Sequence, residues 1–172
     1  MGFKEKFAYR KLRKLIASQK RNPLIPKMHP HTKVGVIWQP SEKPAVQYLR
    51  EYYNKQGAIF RDYCIFDKDS NPAPEANSLT IDDLSWWGIP KPEKVSDFIE
   101  MNFDLLLCLA LEPNYAVEYV TSLTQSNFKV GSSPDDENYF DLNIKIDENQ
   151  DAMYLAKQQI FYLAQLIKTE DE

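Results

Sequence analysis

The first pattern along the chain is an apolar stripe at helical spacing near the N-terminus. It is formed by Ala8, Tyr9, Leu12, Leu15 and Ile16. Lys and Arg cover most of the remaining positions, so the pattern predicts a basic amphipathic helix. Phe3 and Phe7 lie outside the stripe.

The next patterns are short apolar runs of the kind that form buried strands. KVGVIW at 33–38 is rich in β-branched residues and predicts the first strand. A helical pattern follows, with Ser41 at the position of an N-cap and Gly57 just past the end. Residues 58–66 predict a second strand, and residues 84–87 predict a short third one.

The second half of the chain continues to alternate helices and strands. LLLCLA is apolar at every position, which is typical of a central parallel strand covered on both faces. YFDLNIKI alternates apolar and polar residues, which is typical of an edge strand. The predicted elements are a helix through 95–99, strands at 105–110, 128–131 and 139–146, and helices at 115–123 and about 150–168.

This order predicts an α/β fold with a mostly parallel, doubly wound (Rossmann-like) sheet. We expect three layers, five or six strands and an additional N-terminal amphipathic helix. The chain divides into the basic helix at 1–22, a Pro-rich linker at 23–32 and one α/β domain at 33–172. A length of 172 residues suits one such domain.

Two adjacent tryptophans stand in the predicted third strand. Neighbouring residues of a strand point to opposite faces, so Trp86 and Trp87 cannot both enter one side of the sheet. If helices cover both faces, both side chains belong to the core, which is the arrangement we expect. Otherwise one of them is exposed and marks a contact surface.

Charge is distributed unevenly along the chain. Residues 1–22 contain eight Lys or Arg and one acidic residue, a net charge of +7, whereas the remaining residues carry −11. The helix can therefore pack on the acidic body with its basic face solvated or paired. Alternatively, it contacts a partner, anionic lipid or nucleic acid. The candidate contact residues are Phe3, Phe7, Arg10, Lys11, Arg13 and Lys14.

Other sequence features indicate the cellular compartment of the protein. The apolar runs are far shorter than the roughly 20 residues of a membrane-spanning helix, and the N-terminus lacks the apolar core of a secretion signal. Cys64 and Cys108 stand in apolar contexts and are expected to be buried reduced thiols. We therefore predict a cytoplasmic protein without a transmembrane segment.

A candidate ligand pocket follows from the predicted sheet. Ligands of open α/β sheets bind beyond the carboxyl ends of the strands, near the point where the strand order reverses. The polar residues expected there are Gln39, Ser41, Glu112, Asn114, Ser132 and Ser133.

Motifs for catalysis or cofactor binding are absent from the sequence. The loop after the first strand, QPSEKP, has no glycine with which to approach a phosphate. Both histidines, His29 and His31, precede the predicted domain, where a nucleophile at a strand end is not expected to meet them. We assign no catalytic residue, no metal ligand and no cofactor.

Three segments carry a resemblance to a known family: WWGIPKPEKVSDFI, FDLLLCLALEPNYAVEYVTSLTQSNFKVG and NYFDLNIKI. They resemble a family of short bacterial proteins of about this length whose function is unknown. The resemblance extends to the basic helix and KVGVIW, and it implies no activity.

Residues 103–131 also resemble the acceptor-side, Rossmann-like half of bacterial heptosyltransferases. In those enzymes a D-L-hydrophobic strand leads through a helix into a strand that ends in glycine, here Gly131. Gln39 and Pro40 stand where those enzymes have a Gly-Asp turn, so the resemblance implies a fold and not an activity.

These observations predict a non-enzymatic cytoplasmic α/β protein that acts by binding through its basic N-terminal helix. The alternative is a small-ligand-binding or enzymatic domain related to the acceptor half of glycosyltransferases. A third interpretation is a subunit of a homo-oligomer or larger assembly.

Overall fold

A parallel sheet of six strands forms the centre of the structure, a computed structural model that describes residues 1–73, 77–134 and 139–172. The strands are β1 (Lys33–Trp38), β2 (Ile59–Ile65), β3 (Ser78–Leu79), β4 (Phe103–Cys108), β5 (Ser126–Gly131) and β6 (Leu142–Asn143). Their order is β3-β2-β1-β4-β5-β6, and each neighbouring pair is parallel. The predicted α/β class is therefore confirmed, with the strand order reversing between β1 and β4.

Helices cover both faces of this sheet and bury two separate apolar clusters. The helices are α1 (Phe3–Ser18), α2 (Lys43–Lys55), α3 (Pro92–Ile99), α4 (Tyr115–Leu123) and α5 (Ala152–Asp171). One cluster joins the sheet to α1, α3 and α4, and the other joins it to α2 and α5. In β4, Leu106 belongs to the first cluster and Leu107 to the second, both fully buried, as expected of a central strand.

The predicted third strand at 84–87 is wrong, because these residues form a tight hairpin turn. The Ser85 N–H donates to the Ile89 carbonyl at 2.8 Å, and the Gly88 N–H donates to the Ser85 carbonyl at 2.8 Å. Gly88 has a φ of 73°, the left-handed conformation that glycine adopts without strain. The strand beside β2 is instead the two-residue β3.

The turn also overturns both expectations for the tryptophans. Trp86 and Trp87 stand at the tip of the hairpin, where neither can enter the core. Their side chains are exposed, Trp86 by 79% and Trp87 by 40%. Sequence periodicity missed this because a segment of four residues is too short for its pattern to distinguish a strand from a turn.

The predicted edge strand at 139–146 is confirmed in position but is shorter than expected. Only Leu142 and Asn143 pair with β5. Just before β6, the Asp141 N–H donates to the Lys129 carbonyl at 2.8 Å. The Asp141 carboxylate accepts a hydrogen bond from the Lys129 N–H at 2.7 Å and forms a salt bridge with Arg21 at 2.6 Å.

The segment between α1 and β1 runs along the body. The Leu24 N–H donates to the Asn127 carbonyl at 3.0 Å, and Arg21 donates to the Ser126 carbonyl. The division of the chain into helix, linker and domain stays a prediction. Throughout the described ranges, every helix is too short or too polar to cross a lipid bilayer.

Candidate functional site

The N-terminal helix is anchored on α4 by its apolar stripe. Ala8 and Leu12 are each 3% exposed and belong to the core on that face of the sheet. The Tyr115 hydroxyl donates to the Ala8 carbonyl at 3.0 Å, and the rings of Tyr9 and Tyr115 meet edge to face with centroids 5.0 Å apart. The structure thus confirms that the stripe packs on the body.

The rest of α1 faces solvent. The side chains predicted as contacts are all exposed there: Phe3, Phe7, Arg10, Lys11, Arg13 and Lys14. The four cations form no ion pair with any residue that the structure describes, although the body is acidic. The structure therefore places these residues where a partner can reach them, while their role stays a prediction.

The hairpin turn at 85–88, which we call the tryptophan turn, lies beside the N-terminal half of α1. The rings of Phe7 and Trp87 have centroids 4.8 Å apart, and the Lys4 ammonium stands 3.5 Å from the centroid of the Trp86 ring. A groove of about 460 Å³ between α1 and the turn is lined by Lys4, Glu5, Trp86 and Trp87 and by Ile81, which is 56% exposed. The tip of the hairpin therefore extends the exposed face of α1.

We call this region the basic-aromatic surface. It comprises Phe3, Lys4, Phe7, Arg10, Lys11, Arg13 and Lys14 of α1 together with Trp86 and Trp87. Sequence reasoning found the helical part from charge and periodicity. It missed the tryptophans' place in the surface, although the run WWGIP, with glycine and proline after the pair, could have indicated a turn.

A second candidate site is a cleft of about 530 Å³ at the carboxyl edge of the sheet. Four of the six predicted pocket residues line it: Gln39, Ser41, Glu112 and Asn114. Ser132 and Ser133 follow β5 and are not part of its lining; Ser133 instead exchanges backbone hydrogen bonds with the side chain of Asn143. The cleft lies beyond the ends of β1 and β4, where the strand order reverses.

Glu42 is the residue of this cleft that sequence reasoning missed. Its side chain is buried, with the residue 6% exposed, and its carboxylate accepts hydrogen bonds from the Gln39 N–H at 2.8 Å and the Leu111 N–H at 3.4 Å. Burial raises the pKa of Glu42 from 4.5 to about 7, the charge of Asp67 adds to the rise, and the two N–H donors oppose it. The sequence signal that could have identified Glu42 was its spacing from Gln39, because the two residues form a capping box on either side of Pro40 and Ser41.

Two other polar side chains of the cleft form hydrogen bonds with the backbone around it. The side-chain amides of Gln39 and Asn114 both donate to the Phe66 carbonyl, at 3.3 and 2.8 Å. Asn114 also caps α4 by accepting from the Val117 N–H at 3.0 Å. Because Glu42 already accepts from one backbone N–H after β1 and one after β4, these two donors are not free to hold a phosphate.

The charge of the cleft is negative. Its lining contains one lysine, Lys68, which lies 3.9 Å from the Glu112 carboxylate, and five acidic residues: Glu42, Asp67, Asp69, Glu112 and Asp151. This balance favours polyols or cationic ligands over phosphates.

Residues suited to metal or nucleophilic chemistry stand apart from one another. Within the described ranges, no group of three or more His, Cys, Asp or Glu side chains is arranged to hold a metal ion. His29 and His31 are exposed between α1 and β1. Cys64 and Cys108 are buried free thiols, as predicted, and burial raises the pKa of each to about 12.

Comparison with known proteins places the chain in a family. A profile described as Family of unknown function (DUF6913) matches residues 4–166, which include α1 from its second residue, the tryptophan turn and the whole sheet. The chain belongs to this family. No curated protein and no solved structure shows significant similarity to it. The membership carries no activity, and the likeness of residues 103–131 to heptosyltransferases stays a prediction.

Proposed function

We propose that the protein acts by binding and not by catalysis, docking its basic-aromatic surface on a polyanionic partner. The observation that carries the proposal is the exposed row of cations on α1, unpaired with the described residues, on a body that is otherwise acidic. A polyanion is attracted to this face, whereas residues 23–172 carry a net charge of −11, which disfavours its approach elsewhere.

The rigidity of α1 supports the same proposal. A helix packed through Ala8 and Leu12 holds the backbone that carries these cations in place, so little backbone entropy is lost on binding. We further propose that the protein works in the cytoplasm, where thiols such as Cys64 and Cys108 stay reduced and the membrane leaflet is anionic.

The test is charge removal on α1 without loss of the helix. Deletion of residues 1–22 would uncover the core that Ala8 and Leu12 cover, so glutamine substitutions are the sharper choice. In the variant R10Q/K11Q/R13Q/K14Q, we expect the protein to elute from immobilised heparin at much lower salt than the wild type.

The matched control is K43Q/K55Q/K145Q/K168Q, which removes four exposed lysines elsewhere and gives the same net charge. This control is expected to elute close to the wild type. Equal loss in the two variants would show that only net charge matters and would refute a role for α1.

A second candidate function is the binding of a small ligand in the carboxyl-edge cleft, with or without turnover. The buried Glu42 at the switch point of the sheet favours it, and the predicted relation to glycosyltransferase acceptor domains points to sugars. A screen of sugars, sugar nucleotides and alkyl amines by thermal unfolding tests it, since a ligand at 100 times its Kd adds about 2.7 kcal/mol of stability. A shift that S41W abolishes would support this function, and no shift across the panel would count against it.

A further inference from the structure

The exposed apolar part of the basic-aromatic surface identifies which kind of polyanion fits it. Trp86 is 79% exposed and Phe3 is 77% exposed, and Ile81 lies beside the tryptophan turn. Soluble proteins rarely expose several large apolar side chains in one patch unless it contacts something apolar. Cations alone would suffice for a purely electrostatic partner.

The arrangement of the rings argues against base stacking. A nucleic-acid surface offers free ring faces on which successive bases lie. Here Lys4 stands over the Trp86 ring at 3.5 Å, and Phe7 packs against Trp87 with centroids 4.8 Å apart. Lys4 therefore occupies one face of the Trp86 ring and Phe7 part of the Trp87 ring, which leaves less free ring surface than a base-stacking platform offers.

The same arrangement suits the boundary of a lipid bilayer. Trp is enriched there because its ring is apolar and its N–H stays hydrated, and Lys and Arg beside it contact anionic headgroups. Phe7 lies one helical turn from Arg10 and Lys11, so apolar and cationic side chains of α1 can contact the same bilayer surface. The hairpin tip projects the tryptophans without unfolding any element.

We propose that the basic-aromatic surface docks on an anionic lipid bilayer, with Trp86, Trp87 and Phe3 inserted at the headgroup boundary and the α1 cations on the headgroups. This inference rests on the proposed function and names its partner. The protein would then be a peripheral membrane protein that contacts the bilayer through α1 and the tryptophan turn.

The experiment compares variants of the full chain in sedimentation with vesicles of phosphatidylcholine mixed with phosphatidylglycerol. Burying one aromatic side chain is worth about tenfold in an equilibrium constant. W86A/W87A is therefore expected to bind at least about tenfold more weakly, while its retention on heparin should fall less than that of R10Q/K11Q/R13Q/K14Q. F161A/Y162A removes two exposed aromatics of α5 and is expected to bind like the wild type.

A second measurement tests insertion itself. Vesicles with brominated acyl chains should quench the fluorescence of the bound wild type, and W86F/W87F should lose that quenching. The remaining tryptophan, Trp38, is 8% exposed and reports that the fold is intact.

The outcomes distinguish docking on a bilayer from the broader proposal that the surface binds a polyanion. Weaker vesicle binding by W86A/W87A, with quenching, supports bilayer docking. Unchanged vesicle binding by W86A/W87A, with loss in R10Q/K11Q/R13Q/K14Q, overturns aromatic insertion and leaves the proposed function standing. Binding to single-stranded RNA that W86A/W87A loses, without vesicle binding, overturns the bilayer in favour of nucleic acid. Retention on neither heparin nor vesicles overturns both.

Discussion

The ring of Phe7 lies against the ring of Trp87, with 4.8 Å between their centroids and an angle of 39° between their planes. This contact joins the outward side of α1 to the hairpin at 85–88. Two segments separated by most of the first half of the chain thereby form one surface.

The contact predicts a measurable coupling. Aromatic pairs contribute about 0.5–1.5 kcal/mol beyond their buried area. A double-mutant cycle of F7A and W87A should give a coupling free energy in this range in urea unfolding. The same cycle with F3A in place of F7A is the control, and a coupling near zero for the first pair would show that the helix and turn do not meet in solution.

The packing of α1 predicts a cost for shortening its apolar stripe. Leu12 is 3% exposed, and the removal of a buried leucine side chain typically costs about 2–5 kcal/mol. We expect L12A to lower the free energy of unfolding by that amount. The exposed neighbour variant K11A should change it by less than about 0.5 kcal/mol. Equal, small effects of the two variants would mean that α1 is detached.

The burial of Glu42 predicts a dependence of stability on pH. Its pKa rises from 4.5 to about 7 on folding, mainly because burial disfavours the charge. The folded state therefore holds a proton that the unfolded state has lost, and the free energy of unfolding falls as pH increases from 4.5 to about 7. E42Q should remove this contribution, whereas E112Q, at an exposed position of the same cleft, should retain it.

Chemical denaturation at several pH values checks this prediction for Glu42. If E42Q left the pH dependence of the free energy of unfolding unchanged, the Glu42 carboxyl would ionise alike in the folded and unfolded states.

The burial of Lys129 predicts that the free energy of unfolding changes with pH in the opposite direction at higher pH. Its ammonium is buried and donates to the carbonyls of Thr121 and Ser122 at 2.9 and 2.8 Å, at the end of α4. Burial first, and then the charge of Arg21, lower its pKa from 10.5 to about 7, while Asp141 opposes the shift. The unfolded state then binds more protons, so stability should increase between pH 7 and 10.5.

The comparison of wild type and K129M isolates this contribution from other groups that titrate at alkaline pH. The difference between their free energies of unfolding should change steadily with pH over this range. A constant difference would contradict a lowered pKa for Lys129.

The sequence predicts the regular parts of this fold well, because their patterns repeat over many residues. The stripe around Ala8 and Leu12, the limits of β1 and the left-handed Gly57, with a φ of 74°, follow from local rules. The parallel sheet follows from the alternation of strands and helices.

The errors concern short segments whose structure depends on tertiary contacts. Trp86 and Trp87 have strong strand propensity, yet the hydrogen bonds of the turn at Gly88 override it. Glu42 looks like an ordinary helix-start residue, and only the folded sheet brings the Leu111 N–H within hydrogen-bond distance of its carboxylate. Ser132 and Ser133 follow a strand end as expected, but β5 lies one strand beyond the switch point.

The most direct test of the account is the salt dependence of binding to mixed phosphatidylcholine and phosphatidylglycerol vesicles. The wild type and K43Q/K55Q/K145Q/K168Q should bind alike and release progressively as salt screens the α1 cations. R10Q/K11Q/R13Q/K14Q should bind weakly even at low salt, since each cation near an anionic surface contributes about 1 kcal/mol. Salt-independent binding, or equal binding by the two four-glutamine variants, would contradict the claim that α1 is the contact element.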